Sequence, residues 1–236
     1  MKVTVVIPTY DERESLPELL SRLLAHPGLD VLVVDDASAD GTADVAEDLA
    51  RRHPGRIEVM RRTGPRGLGL SYLDGLRRAL DAGADRIVQM DADLSHDPQY
   101  LPAMLAAAEA HDLVIGSRYL HGVSVVNWPL HRVALSTAAN AYIRFATRLP
   151  VRDCTSGFRC WRAETLARLP FERVRSEGYA HVVEMLYIAW QSGCRVTEVP
   201  IIFVERRQGR SKLLPKALWE SLWMPLRLRL RRVSLR

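Results

Sequence analysis

Residues 86–93 read Arg86-Ile87-Val88-Gln89-Met90-Asp91-Ala92-Asp93. A short apolar run, the composition of a strand buried inside a sheet, stops abruptly on two carboxylates. At the C-terminal edge of such a strand, two acids two residues apart can share one divalent cation. Their hard oxygens suit Mg²⁺ or Mn²⁺, ions that commonly also hold a substrate diphosphate. A lone Asp-x-Asp is more often only a polar strand end. Its meaning here depends on the segments around it.

Working outward, the first half of the chain alternates between two periodicities. Val3–Ile7 is a continuous β-branched run, and Glu12–Ala25 follows with leucines at 16, 19, 20, 23 and 24, a helical stripe. Val31–Val34 and Ile57–Met60 read as further buried strands, followed by helices over Thr42–Arg52 and Leu68–Ala82. Ile87–Met90 is the fourth strand. Pro98 opens a helix to Ala110, and Leu113–Gly116 is the fifth strand. This order predicts an α/β domain with a doubly wound, mostly parallel sheet, in which ligands bind at the carboxyl ends of the strands. Four strand ends carry polar residues: 8–12, 35–42, 91–96 and 116–119. In a parallel sheet all four loops face one crevice.

The second half is less regular. Leu130–Arg148 reads as a helix with Arg132, Ser136 and Asn140 on one face. Asp153–Arg159 reads as a polar loop, Tyr179–Gln191 as a helix bearing Glu184, and Val196–Val199 and Ile201–Glu205 as strands. Leu213–Trp223 is helical, and Pro225 is expected to end or kink it. The 236 residues, 47% hydrophobic, suffice for one sizeable core. Three scattered cysteines, Cys154, Cys160 and Cys194, match neither a disulfide framework nor zinc spacing, and point to a reducing cytoplasm. Neither a signal peptide nor a membrane-spanning run is visible. The net charge of +5 is uneven: residues 206–236 hold ten Lys/Arg against Glu220, and the remainder is mildly acidic. A basic tail on an acidic body suggests an anionic surface as partner. The chain is therefore divided into a catalytic domain, 1–213, and a basic amphipathic segment, 214–236. Nucleic acid is set aside, because no recognition motif accompanies the basic residues.

The ordered set PTYDE, VVDDASADGT, MDADLSH, GSRY, NWPLHR, TSGFR and RxxGxSK resembles family 2 glycosyltransferases, and more narrowly the polyprenol (dolichol) phosphate mannosyltransferases. The resemblance spans roughly residues 2–213. It implies an A-type glycosyltransferase fold and inverting transfer of mannose from GDP-mannose to a polyprenyl monophosphate. Matched to its motifs, the nucleotide site would use Pro8, Tyr10, Glu12, Val34, Asp36, Asp91, Ala92, Arg206 and Lys212. Asp91 and Asp93 would bind the metal. Ser95 stands where some relatives place a glutamine as a third contact, and a hydroxyl is a shorter, weaker ligand. Arg118, Arg132 and Ser136 would hold the acceptor phosphate, while Asp91, Asp93, Arg118 and Lys212 would carry catalysis. His96 is given a loop-stabilising role, and Arg207 and Arg210 are read as solvated charges.

The physical need for those cations is plain, since two phosphate-bearing substrates repel unless positive charge intervenes. The acceptor phosphate, with a second pKa near ~6 by analogy with other phosphate esters, is its own nucleophile, so no protein base is nominated. Trp219–Arg236 mixes Trp, Leu and Met with Arg, as a helix lying on a membrane surface does. Its other reading is a helix packed on the core. The resemblance thus implies an enzyme peripheral on the cytoplasmic face of a membrane, with a separate membrane anchor protein as a further partner. Glucose transfer from UDP-glucose, a soluble acceptor, and a non-catalytic nucleotide-sugar-binding protein are the alternatives.

Overall fold

A computed structural model of the chain describes residues 1–170, 174, 180–205 and 215–230, the stretch 215–222 by its backbone alone. Nine strands and eight α-helices are defined among these residues: β1 Val3–Thr9, α1 Leu16–Leu24, β2 Leu29–Asp35, α2 Thr42–Arg52, β3 Ile57–Arg61, α3 Leu68–Asp81, β4 Arg86–Gln89, α4 Leu101–Ala107, β5 Leu113–Ser117, β6 Val125–Val126, α5 Leu130–Thr147, β7 Arg159–Arg162, α6 Ala163–Ala167, α7 Ala180–Gln191, β8 Val196–Pro200, β9 Phe203–Val204 and α8 Pro215–Leu230. Seven strands form one sheet in the order β3-β2-β1-β4-β7-β5-β8. All its pairings are parallel except those of β7, which runs antiparallel between β4 and β5. β6 and β9 form a separate two-stranded ribbon.

The period-2 alternation of the strands divides the core into two layers. Val3, Val5, Ile7, Val31 and Val33 pack with α1, whose leucines 16, 19, 20 and 23 are all buried. Val6, Leu32 and Val34 point to the other face, beneath α3, α5, α7 and α8. The fold is therefore a helix–sheet–helix sandwich, as expected from the alternating first half. α1 begins at Leu16 rather than Glu12, because the preceding turn is pinned elsewhere: the Glu12 amide donates to the Thr42 hydroxyl at 3.0 Å.

Two further features depart from the sequence reading. Arg159, expected in a loop, opens β7. Its guanidinium is fully buried and donates to the carbonyls of Ser156, Val182 and Cys154 at 2.9, 2.6 and 3.2 Å. Burial pulls its pKa down to about 10. A charged residue buried on backbone acceptors hides the apolar pattern by which a strand is recognised. Two residues on, Trp161 donates its indole N–H to Gln89 of β4 at 2.6 Å, which closes the register. The second departure is Pro225, which does not end α8. The helix continues because Met224 and Leu228 are buried in the same core layer as α5 and α7, and that packing outweighs the missing N–H.

The tightest approach in the sandwich is at Gly75 of α3. A Cβ there would lie 2.5 Å from Val6 Cγ1 and 2.8 Å from Val34 Cγ2. Gly75→Ala should therefore lift α3 from the sheet and cost about 1–3 kcal/mol in urea unfolding. Val6→Ala in the same chain should return part of the loss. A Gly75→Ala protein as stable as its parent would show that α3 is free to rise.

Candidate active site

The four polar loops do gather at one edge, since β1, β2, β4 and β5 all run in the same direction. The first two loops are stitched together. Ser38 donates to both oxygens of Asp35, by hydroxyl at 2.6 Å and amide at 3.0 Å. The same hydroxyl accepts from the Asp11 amide at 3.1 Å, and the Ala39 amide returns a bond to the Asp11 carboxylate at 3.0 Å. Asp11 and Ala37 both take left-handed backbone, at φ 55° and 57°. Non-glycine residues visit that region sparingly, and such strain tends to collect at functional loops. Pro8 and Val34 face each other across the β1–β2 ladder. Val34 is buried beneath α3, so its side chain does not line the crevice.

Asp36 lies at the mouth of this corner but is engaged by its own chain. One carboxylate oxygen pairs with buried Arg62, and the other accepts the Gly67 amide at 2.8 Å. Arg62 reaches on to Asp74 at 2.8 Å, Ser71 at 3.2 Å and the Pro65 carbonyl at 3.1 Å. Asp36 thus holds down the loop between β3 and α3. From that loop, exposed Arg66 extends over Tyr10. Its guanidinium carbon stands 4.7 Å from the ring centroid, Nη1 donates to the Tyr10 hydroxyl at 2.8 Å and Nη2 to the Ala37 carbonyl at 2.9 Å. Neither Arg62 nor Arg66 was singled out from the sequence, where they sit in an ordinary Gly/Pro turn, residues 62–67.

At the centre of the edge, Asp91 and Asp93 follow β4. Tyr72 of α3 donates its hydroxyl to Asp91 Oδ1 at 2.7 Å, and Ser95 donates its hydroxyl and amide to Asp93 Oδ1 at 2.5 and 3.1 Å. Ser95 is itself buried, so its oxygen acts here as a brace for Asp93. His96 is buried beneath the pair, stacked on Phe158 with centroids 5.1 Å apart, and its Nδ1 accepts the Asp91 amide at 3.2 Å. Burial holds its pKa below the usual range, so the ring is neutral, in keeping with a loop-stabilising role. Gly157 closes on the same acids: a Cβ there would sit 3.5 Å from Asp91 Oδ2. The pair offers half-exposed carboxylate oxygens on a rigid base, which is the donor set a hard divalent cation takes. Among the described residues no third His, Cys, Asp or Glu joins them.

On the far side, Arg118 follows β5 and forms a fork with Asp153. Nε and Nη2 meet the two carboxylate oxygens at 2.7 Å each, and Nη2 also donates to Thr155 at 2.7 Å. Nη1 takes no part in this clamp. Desolvation works against both charges, yet their mutual attraction prevails: Arg118 is held above, and Asp153 below, its ordinary value. Phe203 links the two sides, its ring centroid 5.7 Å from that of His96 beneath the acids and 5.5 Å from the Arg118 guanidinium carbon. Asn140 of α5 ties the 153–157 loop down by accepting the Cys154 amide at 2.8 Å. Arg132 stacks over Trp128, 4.2 Å from its centroid, and pairs with Glu205. Arg118 stands 5.6 Å from the same ring, so both guanidiniums lie against Trp128. Ser136, one turn beyond Arg132, accepts the Tyr119 hydroxyl at 2.7 Å. Arg206 and Lys212, with Arg207 and Arg210, lie outside the described residues.

A fold of this topology with an acidic pair at the end of its central strand is the A-type glycosyltransferase fold. The model of the family described as glycosyl transferase family 2 matches residues 4–169, and the chain belongs to that family. It is 47% identical to an undecaprenyl-phosphate mannosyltransferase of Micrococcus luteus, over 90% of this chain and 88% of that one. It is 43% identical to a polyprenol monophosphomannose synthase of Mycolicibacterium smegmatis, over 94% and 84%. It is 38% identical to a dolichol-phosphate mannosyltransferase of Pyrococcus furiosus, over 94% of this chain and 62% of that one. Among solved structures, glucosyl-3-phosphoglycerate synthase from Mycobacterium tuberculosis, in complex with Mn²⁺, UDP and phosphoglyceric acid, superposes with a TM-score of 0.70. The match covers 97% of this chain and 78% of that one, at 20% identity.

The Arg118–Asp153 pair gives the site its sharpest stability test. Asp153→Ala leaves a buried, uncompensated guanidinium and should cost about 3–5 kcal/mol in urea unfolding at pH 7. The folded-state pKa of Asp153 is depressed, so its contribution is present above its unfolded value near ~3.9 and is lost as pH falls through the folded value. The gap between variant and parent should persist through neutral pH and narrow only in strong acid. A gap that closes between pH 5 and 7 would contradict the assignment.

Proposed function

We propose that the protein transfers mannose from GDP-mannose to a polyprenyl monophosphate, with inversion at the anomeric carbon and with Mg²⁺ or Mn²⁺ at Asp91 and Asp93. The observation that carries this reading is the juxtaposition of an acidic pair with two aromatic-bracketed arginines at one sheet edge. On this reading the edge takes two phosphate-bearing molecules side by side. The donor diphosphate belongs beside Asp91 and Asp93, and the nucleoside beside Pro8, Tyr10, Glu12 and Asp36. The acceptor phosphate belongs beside Arg118, Arg132 and Ser136. The relatives named for undecaprenyl, polyprenol and dolichol phosphates support the acceptor. When bound, the cation neutralises the diphosphate and makes the nucleotide a better leaving group.

The chain's own residues then do three things. Tyr72 and Ser95 hold the carboxylates in one orientation before any ligand arrives. Arg118 Nη1 and Arg132 draw the acceptor phosphate toward the sugar; Arg132 must exchange Glu205 for phosphate to do so. The phosphate, largely dianionic near neutral pH, attacks without a protein base, so rate comes from positioning and charge compensation. Arg206 and Lys212 are assigned by sequence to the donor phosphates. Radiolabelled GDP-mannose and UDP-glucose, each with polyprenyl phosphate and with or without Mg²⁺, test the whole reading. Mannose transfer that needs the cation and is lost, by about 10³-fold or more, in Asp91→Ala is the expected outcome. Transfer from UDP-glucose alone would replace the donor, and full activity of Asp91→Ala would remove the metal assignment.

A lipid acceptor requires contact with a bilayer. Among the described residues no helix is long and apolar enough to cross a membrane. The outward face of α5 is apolar nonetheless: Leu130 and Phe145 are 86% and 81% exposed, with Ala134, Ala138 and Ala141 between them. α5 carries no acid, and Arg144 and Arg148 flank its end. On α8, which packs against it, Trp223, Leu226 and Leu230 are exposed beside Arg227 and Arg229. An apolar stripe edged by cations is the composition of a surface that lies in the headgroup layer of an anionic bilayer. This extends the expected membrane contact from the C-terminal segment to α5. Leu130→Glu with Phe145→Glu should cut flotation with anionic liposomes at least about tenfold while leaving the unfolding midpoint unchanged, since both side chains already face solvent. Unchanged flotation would take α5 out of the membrane contact.

A further inference from the structure

We infer that Arg66 is a specificity-determining residue for the donor base, reading guanine by a two-pronged contact that uracil cannot satisfy. The inference deepens the GDP-mannose reading and rests on it. Three observations meet at this residue. First, the corner expected to take the nucleoside has its recognition acid already occupied: both oxygens of Asp36 are bonded, to Arg62 and to the Gly67 amide. Asp36 therefore positions the loop, and the same corner carries an exposed donor, Arg66. Second, Arg66 is placed and not merely solvated. It bridges the loops after β1 and β2, donating to the Tyr10 hydroxyl and the Ala37 carbonyl while its plane lies over the Tyr10 ring. Third, its second anchor, Ala37, is held in left-handed backbone, a costly conformation that turns that residue's carbonyl toward the arginine.

A guanidinium has five N–H donors, and these contacts use two. The three that remain suit a base presenting two adjacent acceptors. Guanine offers O6 and N7 side by side, the pairing an arginine fork matches best. Uracil presents a carbonyl next to an N–H donor, which opposes a second donor from the protein. The planar fork also stacks on an aromatic or a base in a way a lysine ammonium does not. Arg66 over Tyr10 is thus a ready platform at the corner formed by the loops after β1 and β2.

The test is calorimetric titration of the full chain with GDP and with UDP, each in Mn²⁺, for the parent, Arg66→Ala and Arg66→Lys. The parent should bind GDP more tightly. Arg66→Ala should weaken GDP by about tenfold or more and UDP by less than about threefold, so that the preference collapses. Arg66→Lys should lose the preference as well, because a point charge cannot fork. A parent that binds UDP at least as tightly as GDP overturns the donor reading and this inference with it. A parent that prefers GDP, with Arg66→Ala keeping the same ratio or losing both nucleotides equally, overturns the inference alone. Arg66 is exposed, so thermal melting of the variants should match the parent and separate recognition from folding.

Discussion

The second half of this molecule hangs on the buried ion pair between Arg118 and Asp153. Neither charge could remain so deeply desolvated without the other. Once paired, they join the end of β5 to the loop that follows α5. That loop runs on through Gly157, against Asp91, and into β7, which separates β4 from β5 in the sheet. The pair therefore sets the distance between the two strand ends that bear the acids and the arginine. Removing it would loosen a side chain of the site and the register of the strand that holds the site together.

A common pattern runs through the crevice. Three charges are met by an opposite charge from a different element, Asp36 by Arg62, Arg118 by Asp153, and Arg132 by Glu205, while hydroxyls brace Asp91 and Asp93. These partners hold the groups in place before a ligand arrives, which is the preorganisation that charge-stabilising sites require. They differ in how readily they yield. Arg118 and Asp153 are buried and bidentate, so Arg118 can offer an anion only its unused Nη1. Arg132 and Glu205 are about 30% exposed, and water screens their attraction. A phosphate can therefore displace Glu205 far more cheaply than it could displace Asp153. In the proposed acceptor site, one arginine would then be a fixed wall and the other a movable one.

The alternating first half was legible because buried parallel strands and amphipathic helices leave opposite periodicities in the sequence. The α2 boundaries, Thr42–Arg52, coincide with the reading, since Gly41 and Asp40 mark the start chemically. β7 was not legible: its first residue is an arginine solvated by carbonyls, and nothing local distinguishes it from a surface arginine. Pro225 does not end α8 for the opposite reason, a strong local stop signal being outweighed by burial of its neighbours. At the site, the acids and Arg118, Arg132 and Ser136 were found through motifs, and the structure brings them to one edge. Arg62, Arg66 and Tyr72 were missed, because their roles depend on a loop and a helix face that meet the crevice only in three dimensions. Val34, carried over from a motif, proves to point into the core.

Helical geometry links the chemistry of α5 to its outer surface. Arg132, Ser136 and Asn140 recur every four residues, so they form one stripe facing the crevice. Leu130, Ala134, Ala138, Ala141 and Phe145 fall about half a turn away and face outward. A helix only ~10 Å across therefore separates the proposed acceptor-phosphate site from the apolar face. If that face rests in the headgroup layer, the phosphate of a membrane lipid need rise only about that far to reach Arg132, while its chain stays in the bilayer. The constraint also acts in reverse. A helix whose outer face must be apolar and whose inner face must bind phosphate has few positions left for carboxylates. The lack of any acid on α5, in a chain with 28 of them, is what the proposed service to both faces would produce.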